Sequence, residues 1–88
     1  MPYEWDEEKK DETLRLRGID FASVREFDWE TALTRQSDRT GESRWSSIGY
    51  IGERLYHVVW TQRGDSTRII SLRKANSRES ATYDEQNS

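Results

Sequence analysis

The chain has 88 residues, of which 32% are hydrophobic and 35% are charged. This length predicts one domain over residues 1–88, with a thin core in which aromatic side chains supply much of the buried surface. Because the sequence has no cysteine and one histidine, it excludes disulfides and argues against a zinc site, and we expect no metal or other cofactor. No apolar run of about 18 residues and no signal-peptide pattern is present, which predicts a cytoplasmic protein with no membrane partner.

Charge is distributed unevenly along the chain, whose net charge is −3. Residues 35–78 contain nine basic and four acidic residues, whereas the remainder contains five basic and thirteen acidic residues. Phosphate binding requires clustered Lys and Arg, so one interpretation is that the basic segment meets nucleic acid. The other is the charged, solvent-facing side of an ordinary antiparallel sheet. Composition alone leaves both interpretations open.

The N-terminal part of the sequence predicts a short strand and two helices. Residues 3–5 alternate apolar and polar side chains, as in a strand. A helix is expected over residues 7–17, because Asp6 is suited to cap its start and Gly18 to end it. A second, short helix is expected after Asp20, with core residues on roughly one side. Those expected core residues are Phe21, Val24 and Phe27.

The following part predicts an antiparallel meander. The polar stretch 36–42 is expected to form a loop. Three strands are expected after it, joined by turns at Gly52-Glu53 and Gly64-Asp65. The predicted strands cover residues 44–51, 55–62 and 67–73. Simple alternation in the last strand places Arg68, Ile70 and Leu72 on one face and Ile69, Ser71 and Arg73 on the other.

The C-terminal segment predicts a final helix. Asn76 and Glu79 have the spacing of a capping box, and the helix is expected to reach about residue 85, after which residues 85–88 fray. The order of elements predicts an α+β fold with the helices packed on one face of the sheet.

Segments along nearly the whole chain match the pattern of one known family. They are Glu4-Trp5-Asp6, Gly18-Ile19-Asp20-Phe21, Gly41-Glu42 with Arg44, Ile48-Gly49, Trp60 to Arg63, Arg68 to Arg73, and finally Ala75, Glu79 and Tyr83. Together they resemble the BrnT toxins of bacterial type II toxin–antitoxin pairs. The resemblance implies a RelE-like fold and metal-independent RNA cleavage that inhibits translation. It also implies a BrnA-type antitoxin, a ribbon-helix-helix protein through which the complex would contact DNA indirectly.

The first helix departs from the pattern of the BrnT family. Where that family has a Lys and a His before the glycine, this chain has Leu16 and Arg17. An arginine supplies charge but cannot exchange protons near neutral pH, so Arg17 is interpreted as an auxiliary cation in catalysis. A second hypothesis is a weakened or inactive relative that binds the antitoxin or RNA. A third is an interaction domain whose basic sheet binds an acidic partner.

Arginine residues are the first candidates for holding the RNA phosphate, because a planar guanidinium can bind two of its oxygens. Arg63 and Arg73 lie in matching strand segments and are predicted to be catalytic, with a salt bridge as the alternative for each. Ser71 shares a predicted face with Arg73 and is assigned to RNA binding. Arg44 and Arg68 are assigned there too, although Arg68 also suits a pair with a carboxylate at the sheet margin.

Three further side chains complete the hypothesis. Glu42 is the predicted proton acceptor for the RNA 2′-hydroxyl, and the alternative is an ion pair with an arginine. Tyr83 is assigned to RNA binding through its hydroxyl, although packing is the commoner role of a helix aromatic. His57 is interpreted as structural, because it lies within a strand and the resemblance does not place a histidine there.

Overall fold

The architecture is a mixed five-stranded sheet with helical segments on both sides. The computed structural model describes residues 2–39 and 41–87, except for the side chains of residues 38 and 39. In chain order the elements are β1 (Tyr3–Trp5), α1 (Glu7–Arg17), a 3₁₀ helix (Phe21–Glu26), β2 (Leu33–Arg39), β3 (Glu42–Ile51), β4 (Arg54–Arg63), β5 (Ser66–Lys74) and α2 (Ser77–Gln86).

The sheet has the strand order β1-β5-β4-β3-β2. β1 runs parallel to β5, and the other neighbouring pairs are antiparallel. This confirms the predicted α+β fold, with its short first strand, its meander and its C-terminal helix. The RelE-like detail stays a prediction.

The N-terminal helices begin and end where local sequence predicts. The Asp6 carboxylate accepts a hydrogen bond from the backbone N–H of Glu8 at 2.9 Å, which satisfies a free donor of the first turn of α1. Gly18 ends α1 in the left-handed conformation, with φ 68°. The Asp20 carboxylate caps the 3₁₀ helix in the same way, through Ala22.

One face of the sheet, here called the core face, carries the hydrophobic core. The 3₁₀ helix and its flanks pack on it, and Gly49 of β3 allows the close approach of Phe27. A Cβ at position 49 would lie 2.7 Å from Phe27 Cζ, so no larger residue fits without a shift. The predicted core residues of this helix are confirmed. The buried cluster consists of Ile19, Phe21, Val24, Phe27, Val58, Ile69 and Leu72.

A bulge in β5 changes which residues share a face. Val59 pairs with Ser71 while the next residue, Trp60, pairs with Ile69, which leaves Ile70 as an extra residue. Ile69 and Leu72 are consequently both buried in the core. The alternation predicted for this strand is wrong, because Ile70, Ser71 and Arg73 line the same groove on the opposite face.

The predicted loop over residues 36–42 is also wrong. Residues 36–39 belong to β2, and Glu42 already belongs to β3. Their backbones pair down to Arg39 opposite Glu42, and Gly41 adopts φ 76° in the connection, while Thr40 lies outside the described residues. Backbone pairing at the sheet edge outweighs the polar composition of this stretch, because strand preference depends mainly on neighbours.

α2 packs on the face opposite to the core face, here called the second face. Glu79 of α2 lies beside His57, whose neighbour Val58 points into the core. Tyr83 meets Tyr50 edge to face on the same side. The expected packing of all helices on one face is therefore wrong, because the contacts of Glu79 and Tyr83 hold α2 on the second face. α2 extends through Gln86, and Ser88, part of the expected fraying, lies outside the described residues.

No helix in the described ranges is long and apolar enough to cross a membrane.

Candidate nucleic-acid interface

Three grooves lie on the second face and at its edge beside α1. The edge groove, of about 180 Å³, is lined by Asp6, Lys9, Glu42, Arg44, Arg63, Arg68, Ile69 and Ile70. The central groove, of about 400 Å³, is lined by Ser37, Arg44, Ser46, His57, Val59, Ile70, Ser71 and Arg73. The helix groove, of about 230 Å³, lies against α2 and is lined by Leu33, Arg35, Ser46, Ile48, His57, Arg78, Glu79 and Thr82.

The three grooves form one continuous strip. Arg44 and Ile70 belong to both the edge and central grooves, and Ser46 and His57 belong to both the central and helix grooves. Together the grooves are lined by seven basic and three acidic residues, in a chain whose net charge is −3. The segregation of charge along the sequence is thus also a segregation in space, and it gives this strip the sign that attracts phosphate.

Arg73 in the central groove is tightly bound to Glu79 of α2. Its two terminal nitrogens each donate to a different Glu79 oxygen at 2.8 Å, which is the bidentate geometry of a strong charge-assisted pair. This hydrogen bonding lowers the pKa of Glu79 to about 2 and raises the pKa of Arg73. Glu79 also accepts the backbone N–H of Asn76 at 2.9 Å, so the predicted capping box is confirmed and fixes the carboxylate.

His57 stands where the central and helix grooves meet. Its Nε2 lies 3.6 Å from a Glu79 oxygen, and its Nδ1 is buried without a hydrogen-bond partner among the described residues. Burial lowers the pKa of His57, the charge of Arg73 lowers it further, and Glu79 opposes both. Burial and the charge of Arg73 therefore favour the neutral form of the imidazole. Sequence reasoning left this residue out of the site, although it lines two of its three grooves.

Glu42 in the edge groove is loosely held by two guanidinium groups. Its oxygens lie 3.4 Å from Arg44 Nη2 and 3.5 Å from Arg63 Nη2. Both distances exceed the roughly 2.7–2.9 Å of a strong charge-assisted hydrogen bond. Arg44 Nε is buried and has no hydrogen-bond partner in the part of the chain that is described. The edge groove accordingly has hydrogen-bond donors that the Glu42 carboxylate does not use.

The structure brings together most of the predicted site residues, but in two places. Arg63 and Arg68 lie in the edge groove with Glu42, whereas Ser71 and Arg73 lie in the central groove. Arg44, which lines both, connects them.

Two predicted site residues lie outside the three grooves. Arg17 is exposed at the end of α1. Tyr83 is 6% exposed, and its ring centroid lies 5.6 Å from that of Tyr50. Packing accounts for the burial of Tyr83, and neither Arg17 nor Tyr83 lines any of the three grooves.

The described residues contain no group of three or more His, Asp or Glu side chains arranged to hold a metal ion.

Comparison with known proteins identifies the family. No curated protein matches the chain. A family model described as "Ribonuclease toxin, BrnT, of type II toxin-antitoxin system" matches residues 5–79. The matched range begins at the end of β1 and includes α1, the remaining strands and the start of α2 with Glu79. The chain belongs to the BrnT family of type II toxin–antitoxin ribonuclease toxins.

Proposed function

We propose that this protein cleaves RNA in the cytoplasm without a metal ion, inhibits translation by doing so, and is neutralised by a BrnA-type ribbon-helix-helix antitoxin. Membership of the BrnT family supplies the class of ribonuclease toxin. We place the activity in the continuous basic strip of grooves on and beside the second face, because this strip is suited to bind phosphate. DNA would be contacted only through the antitoxin.

The edge groove has the groups that metal-free RNA cleavage needs. The reaction requires a base that takes the proton of the 2′-hydroxyl, positive donors around the phosphorane as charge develops, and an acid that protonates the 5′-oxygen as its bond to phosphorus breaks. Glu42 lies between two such donors, Arg44 and Arg63, with Lys9 and Arg68 lining the same groove. We assign phosphate binding to Arg44 and Arg63. The Lys9 ammonium, in the same groove, is our candidate for the acid.

The contacts of the two carboxylates support Glu42 rather than Glu79 as the proton acceptor. Glu79 is held at 2.8 Å by both arms of Arg73, and its pKa of about 2 makes it a very weak base. The longer contacts of Glu42, at 3.4 and 3.5 Å, are ones that a phosphate can displace. An RNA phosphate on Arg44 and Arg63 would leave Glu42 free to accept the proton.

The central groove then carries the neighbouring part of the RNA. Arg73 keeps its charge in the groove, but both of its terminal nitrogens already donate to Glu79. We assign it to binding of a second phosphate, together with Ser71. Arg17 is left the role of a distant auxiliary cation, since it lies outside the grooves.

Incubation of the purified protein with single-stranded RNA in EDTA tests this function. We expect products with 2′,3′-cyclic phosphate ends, and we expect a loss of cleavage in Glu42→Gln. Asp84→Asn is the matched control, because Asp84 is an exposed carboxylate on α2 outside the grooves. Intact RNA at high protein excess would contradict the proposal.

A second candidate function is an inactive relative that binds antitoxin or RNA without cleavage. The observation in its favour is the first helix, where Leu16 is 67% exposed and Arg17 lies outside the grooves. This candidate predicts that cells expressing the chain grow normally, and that the double change Leu16→Lys with Arg17→His makes the chain toxic. Growth arrest by the unchanged chain would contradict it.

The antitoxin is tested separately. We expect an adjacent reading frame to encode a small ribbon-helix-helix protein that forms a complex with this chain and abolishes cleavage. A co-purified complex that still cleaves RNA would contradict neutralisation.

A further inference from the structure

The helix groove contains positive charge that the assigned phosphate sites do not use. Arg35 of β2 and Arg78 of α2 both line it, and both are exposed. Neither guanidinium forms an ion pair with any of the described residues. The acidic residue lining the groove, Glu79, is already bound by Arg73. Two arginines without a counter-charge in one groove form a site for an anion.

The same groove has an apolar wall. Leu33 and Ile48 are directly opposite each other on β2 and β3, and both remain partly exposed. The side chains of Ser46 and Thr82 flank this wall and supply hydroxyl groups. Unstacked nucleobases are bound against apolar or aromatic side chains and on guanidinium planes, and hydroxyl groups can bond to their edges. At about 230 Å³, the groove is smaller than the roughly 300–1,000 Å³ of most ligand pockets, which suits a single base.

We propose that the helix groove is a nucleotide-binding subsite, in which a base of single-stranded RNA lies against Leu33 and Ile48 and its phosphate is held by Arg35 and Arg78. Because His57 and Ser46 are shared with the central groove, the nucleotide bound here is adjacent in the RNA to the one in the central groove. This subsite rests on the proposed function and deepens it, since it extends the RNA path from the edge groove across the sheet to α2.

The test is a binding measurement with an RNA that cannot be cleaved. The probe is a single-stranded oligonucleotide of about eight nucleotides, within the usual site size of about 4–16, with a 2′-O-methyl group on every ribose. Arg35→Gln combined with Arg78→Gln is compared with Arg15→Gln combined with Arg54→Gln, a matched pair outside the three grooves. Circular dichroism and thermal unfolding verify that both double variants are folded.

We expect the Arg35/Arg78 variant to bind about tenfold more weakly. Its plot of log affinity against log salt concentration should have a slope smaller in magnitude by about 0.7, which corresponds to the loss of one phosphate contact. The control pair should bind like the wild type. Replacing single nucleotides with abasic ones should weaken wild-type binding about fivefold or more at one position, and this effect should be absent in the Arg35/Arg78 variant.

An Arg35/Arg78 variant with wild-type affinity and salt slope would overturn the subsite. If the wild type still cleaves RNA in EDTA, the proposed function survives that result. A wild type that neither binds the oligonucleotide at low salt nor cleaves RNA would overturn both, and would point to an acidic protein segment as the partner of this surface.

Discussion

The bidentate pair between Arg73 and Glu79 should make stability depend on pH in a defined range. Glu79 has a pKa of about 2 in the folded protein instead of the usual 4.5. At about 1.4 kcal/mol per pH unit, this difference sets an upper limit of about 3 kcal/mol on the stabilisation. The side chains of Arg73 and Glu79 are 30% and 17% exposed, so solvent screens the pair and we expect about 1–2 kcal/mol.

The sign follows from the lowered pKa. A carboxyl whose folded pKa is depressed stabilises the protein above its unfolded pKa, and the stabilisation is lost as pH falls from about 4.5 towards 2. Glu79→Gln removes the charge while keeping an oxygen that can accept the N–H of Asn76, so the cap of α2 is retained.

Urea unfolding at a series of pH values measures the effect. We expect Glu79→Gln to be less stable than the wild type at pH 7, and the difference to shrink to about 0.4 kcal/mol or less at pH 2, where about half of the Glu79 carboxyls are still ionised. Asp84→Asn, on the exposed side of the same helix, controls for the loss of a negative charge. Equal stability at pH 7, or a difference as large at pH 2 as at pH 7, would refute the reasoning.

Two other predictions concern the core and the central groove. Gly49→Ala should lower the free energy of unfolding by about 1–3 kcal/mol, because its Cβ would lie 2.7 Å from Phe27 Cζ; unchanged urea unfolding would contradict this close packing. Arg73→Gln should raise the pKa of His57, because it removes a repulsive charge and leaves the Glu79 carboxylate unpaired; an unchanged pKa in an NMR titration would contradict the arrangement.

The parts of the fold that depend on local contacts could be predicted from the sequence. Asp6 binds a backbone group two residues away, and Asn76 and Glu79 cap one another three residues apart. Gly18 adopts the backbone conformation that favours glycine. Each of these features is decided within about one helical turn, so no knowledge of the tertiary structure is needed.

The register within the predicted meander could not be predicted. If the register set by the turn between Arg63 and Ser66 continued without a bulge, Leu72 would lie opposite His57. The bulge at Ile70 shifts the register by one residue and places Arg73 there. The sequence does not show which residue the bulge inserts, so it did not indicate that Arg73 lies opposite His57. His57 was interpreted as structural because it lies within a strand and the resemblance does not place a histidine there.

The sequence predicted which residues belong to the candidate site better than it predicted which of them lie together in one groove. The resemblance to the BrnT family, together with the charge excess in the second half of the chain, indicated Arg44, Arg63, Arg68 and Arg73, and all four line the strip. Their division between two grooves depends on the bulge and on where α1 and α2 pack. Arg35 begins the basic segment but was not selected, because it lies outside the segments that match the pattern of the BrnT family.

The most direct test of the central claim, that RNA is cleaved at the basic strip of the second face, is the single-turnover cleavage rate of Arg44→Gln in EDTA. Arg44 connects the edge and central grooves and has a buried Nε without a partner among the described residues. We predict a loss of about 100-fold or more, as for removal of a transition-state donor, while Arg15→Gln on α1 cleaves like the wild type. Equal rates for the two variants would contradict the claim.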